Sequence, residues 1–231
     1  MIKYSIRTSS RARRIRLSVT SIHGLVIVVP RYCDVSRIPQ IISEKEQWIR
    51  KALAKVQHGN ILQRSPLVLP EKIYLRSINT EYSVIVLYHN KRKNSLSVDK
   101  NVITLSLNNR NGNAGFIVLK KWLQEKAKEI LLPWIQRMSI AHGLPFKSAV
   151  IRNQRTRWGS CSAKKNINLN RRLILLPPHL IEYLFLHELC HTIEMNHSKR
   201  YWKLVEQHCP EYRSFDKELK IAARNMERWV Y

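Results

Sequence analysis

The sequence predicts an α+β fold, and two textures separated by one break predict it. Up to residue 107 apolar residues mostly alternate with polar ones in short runs; after residue 115 they recur at the 3.6-residue period of helices. Between them lies NNRNGNAG, residues 108–115, the clearest turn-forming stretch of the 231-residue chain. The expected organisation is therefore a β-rich amino-terminal lobe with one helix over 1–110, and a second, helix-rich lobe over 111–231.

The elements follow in order. Ile15, Leu17 and Val19 alternate with polar residues, SIHG forms a turn, and Leu25 to Val29 make a second strand. Asp34 or Ser36 can cap a helix whose apolar face runs from Ile38 through Ile42 and Ile49 to Val56. A loop spans residues 59–70, and strands return at Tyr82–Tyr88, Leu96–Val98 and Val102–Leu107. Phe116, Leu119, Leu123, Ala127, Leu131 and Met138 mark one face of a long helix, which Pro133 is expected to kink. Ala149–Arg152 and Ile167–Leu175 read as strands around the loop NQRTRWGSCSAKKN. Pro177-Pro178 introduces a helix whose residues from Leu180 to Ile193 are almost all apolar, and helices near 198–208 and 212–229 close the chain.

Residues 187–197, HELCHTIEMNH, carry the chemistry. Residues four apart share a helix face, so His187 and His191 can offer two imidazoles to one metal ion. Glu188 beside them can take a proton from water at an open coordination position. His197, six residues beyond His191, has the spacing of the third histidine in extended HExxHxxxxxH sites. Glu194 stands where such sites often place glycine, so Asn196, tolerant of left-handed backbone, is expected to make the turn. Burying two histidines and a glutamate in an apolar helix without a partner is costly; Zn2+ supplies the partner. A later glutamate, Glu206, Glu211 or Glu218, is the alternative third ligand. Cys161 could serve only if His197 does not.

Lysine and arginine number 41 against 16 acids, a net charge of +25. That excess points to anionic partners, with nucleic acid among them. No acid precedes Asp34, and none lies between Glu129 and Glu182. The four cysteines are scattered, no apolar run reaches membrane-spanning length, and the amino terminus lacks a secretory signal, so the expected location is the cytoplasm.

Three segments together resemble a known family: Arg157-Trp158-Gly159-Ser160-Cys161; Asn168-Leu169-Asn170 with Arg172-Leu173-Ile174; and Pro177-Pro178 leading into HELCHTIEMNHSKRYW. In this order they are similar to the YgjP-like metallopeptidases, zincin-like proteins related in their catalytic helix to SprT-type and WLM proteins. The resemblance implies a zincin-like catalytic part packed with the β-rich part, zinc on His187, His191 and His197, and Glu188 as general base. It leaves the substrate open, because the family carries both peptidase and UTP pyrophosphatase labels. If it holds, the WGSC loop lies near the metal. Arg157 could then bind a carboxylate or phosphate and Ser160 could donate to an oxyanion, a structural role in fixing the turn being an equal alternative for both; Tyr201 and Trp202 are expected to pack the helix after the metal turn, where Tyr201 could also donate to a tetrahedral intermediate.

The expected function is a zinc metallopeptidase acting on peptide or protein. A nucleoside triphosphate pyrophosphohydrolase is the nearest alternative, with Arg155, Arg157, Arg171 and Arg172 holding phosphates. A DNA-associated SprT-like protease comes third.

Overall fold

The computed structural model describes residues 2–20, 24–54, 67–108 and 113–231. The chain forms two compact units, Met1–Leu67 and Val68–Tyr231.

In the first unit β1 (Tyr4–Ser9), β2 (Arg16–Thr20) and β3 (Gly24–Pro30) form a sheet of order β1-β3-β2, β3 running parallel to β1 and antiparallel to β2. Strand alternation turns Leu25, Ile27 and Val29 inward onto Ile38 and Ile49. Asp34 accepts the Ser36 amide, as expected of a cap, but it opens a 3-10 turn that precedes α1 (Ile38–Glu44). The single helix expected to Val56 is broken at Lys45, after which α2 covers 46–54. The SIHG turn at residues 21–23, the loop at 55–66 and positions 109–112 of the turn-forming stretch lie outside the described residues.

The second unit holds β4 (Lys72–Leu75), β5 (Thr80–His89), β6 (Ser95–Asp99) and β7 (Val102–Asn108) in the order β4-β5-β7-β6. Its long helix α3 (Ala114–His142) continues through Pro133 and ends at Gly143, whose φ of 64° suits a residue without a side chain. Ile73, Leu105 and Leu107 of the sheet share one core with Leu119, Leu123 and Leu131 of α3 and with Phe185. A sheet that buries its apolar face on the helix after it belongs to the same unit. The boundary expected at 110 therefore falls inside this unit, and the β-rich lobe of 1–110 is divided between the two.

A three-stranded sheet follows, β8 (Ser148–Arg152), β9 (Gly159–Cys161) and β10 (Asn166–Asn170), ordered β8-β10-β9 with β9 at an edge. The strand expected to Leu175 stops at Asn170, and Arg171–Leu175 is a 3-10 turn. Asn170 causes the change. Fully buried, its amide donates to the carbonyls of Gln154 (2.7 Å) and Arg157 (2.8 Å), and its oxygen accepts the Arg172 amide and Nε, both at 3.1 Å. All four hydrogen-bonding positions of the side chain are used. Helices α4 (Pro178–Cys190), α5 (Lys199–His208) and α6 (Tyr212–Arg224) complete the unit. The last is shorter than the periodicity suggested, because a separate 3-10 turn, Arg228–Val230, buries Trp229.

Asn170→Ala would leave two carbonyls and the buried Arg172 without these partners. It should cost about 3 kcal/mol in urea unfolding, since each orphaned buried group costs roughly 1–3 kcal/mol; a change under about 0.5 kcal/mol would show that the bonds are readily replaced.

Candidate metal centre

Pro177 and Pro178 start α4 because proline fits the first helical turn, where its missing N–H is not needed. The helix is apolar all round and correspondingly buried: Leu180, Ile181, Leu184, Phe185 and Leu189 are each at most 5% exposed. Its regular part ends at Cys190, one residue before the second histidine, yet His191 keeps helical angles (φ −66°, ψ −13°). The i,i+4 geometry thus survives the helix end.

Asn196 shapes the turn that follows by a different route from the one expected. It is absent from the residues of positive φ; instead its side-chain oxygen accepts the Ser198 amide at 3.1 Å. Ser198 then caps α5 by accepting the Tyr201 amide. Two successive side-chain caps reverse the chain with ordinary backbone angles and carry His197 back over the helix.

The three imidazoles converge. His197 Nε2 lies 3.2 Å from His191 Nε2 and 3.3 Å from His187 Nε2. Among the described residues they are the one group of three or more His, Cys, Asp or Glu whose ligand atoms lie together, all within 4.8 Å. His191 Nδ1 faces the Glu194 carbonyl at 3.0 Å, which places its proton there and leaves Nε2 as a bare lone pair. Burial, together with the neighbouring imidazoles, pushes His187 down to about 3, and burial also lowers His191. Three imidazole nitrogens this close, on two rings whose burial disfavours the charged form, suit a shared cation, so the donor set fits a divalent metal.

Glu188 is 4% exposed, and burial pushes its carboxyl up to about 8 while the Arg157 charge pulls it down. Gly159 at the start of β9 makes room for it: a Cβ there would stand 2.5 Å from Glu188 Oε1. The WGSC motif thus needs its glycine because the glutamate lies against that backbone. The resemblance placed the loop near the site without revealing this contact, for which the glycine between Trp158 and Ser160 was the available signal.

The remaining expected residues divide. Arg157 is exposed and acts electrostatically on Glu188; Ser160 lies on the same edge strand, its hydroxyl accepting from Asn168 at 3.2 Å. Tyr201 is fully buried. Its hydroxyl donates to the His187 carbonyl at 3.0 Å and its ring stacks on His191 at 4.3 Å, so it holds the histidines rather than facing a substrate. Arg172, expected to bind substrate, donates to the carbonyls of Gln154 and Arg155 and packs against the rings of Trp158 and Tyr231. Arg171 likewise donates to the carbonyls of Lys120 and Val230. Of the alternative ligands, Glu218 pairs with His179 at 3.0 Å, while the Cys161 thiol, pushed up to about 11 by burial, faces the Ser162 carbonyl. Trp202 also stands beside the histidines. Its ring lies 5.6 Å from that of His197, and it lines a cavity of about 490 Å³ with Tyr212, Arg213, Asp216, Lys217 and Lys220.

No curated protein matches the chain. Two solved structures are similar over part of it. One is the metallopeptidase zymogen jannalysin of Methanocaldococcus jannaschii, 21% identical, covering 42% of this chain and 97% of its own with a TM-score of 0.36. The other is the metallopeptidase zymogen abylysin of Pyrococcus abyssi, 26% identical, covering 46% and 93% with a TM-score of 0.32. Residues 13–222 match the model of the YgjP-like metallopeptidase domain, and with nine-tenths of its length so matched the chain belongs to the YgjP-like metallopeptidase family.

Proposed function

We propose that the protein is a zinc-dependent metallopeptidase in which His187, His191 and His197 hold the ion and Glu188 is the general base. The observation that carries this reading is the convergence of three imidazole nitrogens beside a buried carboxylate. Bound zinc would contribute Lewis acidity to the attacking water and the scissile carbonyl. Glu188 takes the proton of that water and returns it to the departing amine. Its burial supports this role, because a carboxylate whose pKa is raised by desolvation is a stronger base than an exposed one and takes the proton of water more readily.

An edge strand favours a peptide as substrate. Gly159–Cys161 pairs with β10 on one side only among the described residues, and Gly159 touches Glu188. An extended peptide can add to such an edge through main-chain hydrogen bonds, which brings its carbonyl toward the carboxylate. Ser160, whose oxygen already accepts from Asn168, keeps its own proton to donate, and the exposed Arg157 is free to meet a carboxylate.

The pyrophosphohydrolase reading loses Arg171 and Arg172, whose guanidiniums are committed to backbone carbonyls. Its support is the cavity beside Trp202, which carries Arg213, Lys217 and Lys220.

Zinc-loaded protein incubated with unstructured polypeptide and with a nucleotide panel separates the two. Polypeptide should be cleaved, and Glu188→Gln should lower the rate about 10²- to 10⁴-fold; turnover of nucleotides alone would replace the peptidase reading. Mass spectrometry should find one zinc in the wild type and in Glu188→Gln, and strongly weakened retention in His197→Ala; full retention there would remove the third ligand. Gly159→Ala should keep its zinc yet lose about 10²-fold in rate, because the added methyl displaces the carboxylate.

A further inference from the structure

The first unit carries a feature that the metal centre does not use. Seven cations and no acid occur before Asp34, and the sheet gathers most of them. Because β1 runs parallel to β3 and β2 antiparallel to it, the end of β1, the start of β2 and the end of β3 lie at one end of the sheet. That end bears Arg11, Arg13 and Arg14 in the β1–β2 connection and Arg31 after β3, all exposed. Arg7 and Arg16 both pair with Val28, so they stand on the same face, one on either side of the central strand. At sheet spacing they are about 10 Å apart. None of the six guanidiniums has an ion pair among the described residues. The nearest acid in sequence, Asp34, is engaged by the Ser36 amide.

Six unneutralised arginines at one sheet end repel one another, and nothing in the packing of this unit requires them there. Their apolar neighbours Leu25, Ile27 and Val29 point to the opposite face, into the core. We infer that this end of the amino-terminal sheet binds the phosphodiester backbone of nucleic acid. Three observations favour nucleic acid over an anionic lipid surface. The cations are all arginine, whose planar forks match phosphate oxygens. The face between Arg7 and Arg16 continues into Ser5 and Ser18, hydroxyls able to reach phosphate or sugar, and its centre holds only the half-buried Val26 and Val28, too little apolar surface to enter a bilayer. Tyr32 stands beside Arg31, the residue 98% exposed, and offers a ring on which a base can stack. Recognition through backbone phosphates is sequence-independent.

Fluorescence anisotropy of the full chain with labelled single-stranded and duplex DNA of about 20 units, between about 50 and 200 mM salt, tests the inference. Binding should weaken with a log–log salt slope of about −3 or steeper. The triple variant Arg11→Ala, Arg13→Ala, Arg14→Ala should bind at least tenfold more weakly with a slope shallower by about 2. Arg7→Gln with Arg16→Gln, which leaves the loop intact, should also weaken binding, with circular dichroism showing both variants folded. Removing Lys91, Arg92 and Lys93, an equal charge in the second unit, should change affinity less than about twofold. Unchanged affinity in both arginine variants overturns the inference. So does an equal loss in the Lys91–Lys93 control, or tighter arginine-dependent binding to phosphatidylserine vesicles than to either DNA. Every arm is read without peptidase activity, so the outcome is independent of the metal centre.

Discussion

Removal of ionisable groups from water at the end of an apolar helix is the constraint from which the second unit is built. Desolvation is the largest influence on His187, Glu188 and His191, and it also governs Tyr183 and Tyr201 around them. Isolated charges there would be expensive, so the imidazoles are neutral and the carboxyl is lifted toward neutrality. Groups in that condition are suited to hold a metal and to carry a proton.

Supporting residues answer the same constraint. Tyr201 satisfies its hydroxyl on the His187 carbonyl while its ring covers His191, and the Glu194 carbonyl occupies the second nitrogen of that histidine. A metal ligand held in this way loses little freedom on binding. On the opposite side the backbone of Gly159 closes over Glu188, and Asn170 and Arg172 hold the loop that presents that glycine. The cationic residues of this loop thus have two unlike fates. Arg171 and Arg172 are interior struts, whereas Arg155 and Arg157 remain at the surface.

Strong local patterns were legible in the chain itself. The period of α3, the alternation in β2 and β7, and the spacing of His187, His191 and His197 each depend on residues close in sequence, and each reappears in the fold. Short elements escaped notice. Strand β4 has four residues and β9 three, too few for a period to register, and β9 exists because β10 pairs with it. Asn170 ended a strand that its apolar neighbours would have continued, because its side chain found partners sixteen and thirteen residues away.

By itself the sequence determined which residues could share a metal, since helical spacing and a six-residue return are local geometry. It also set the cationic excess of the amino-terminal segment. Tertiary structure decided which polar groups were already taken. Arg172 and Tyr201 look available for substrate in the sequence, but folding spends their hydrogen bonds on carbonyls of the chain. It also decided that Gly159 lies against Glu188 and that the sheet at 72–108 joins the unit that carries the three histidines. The physical reason is the same in each case: hydrogen-bond satisfaction and core sharing depend on partners brought together by long-range packing, which no local pattern encodes.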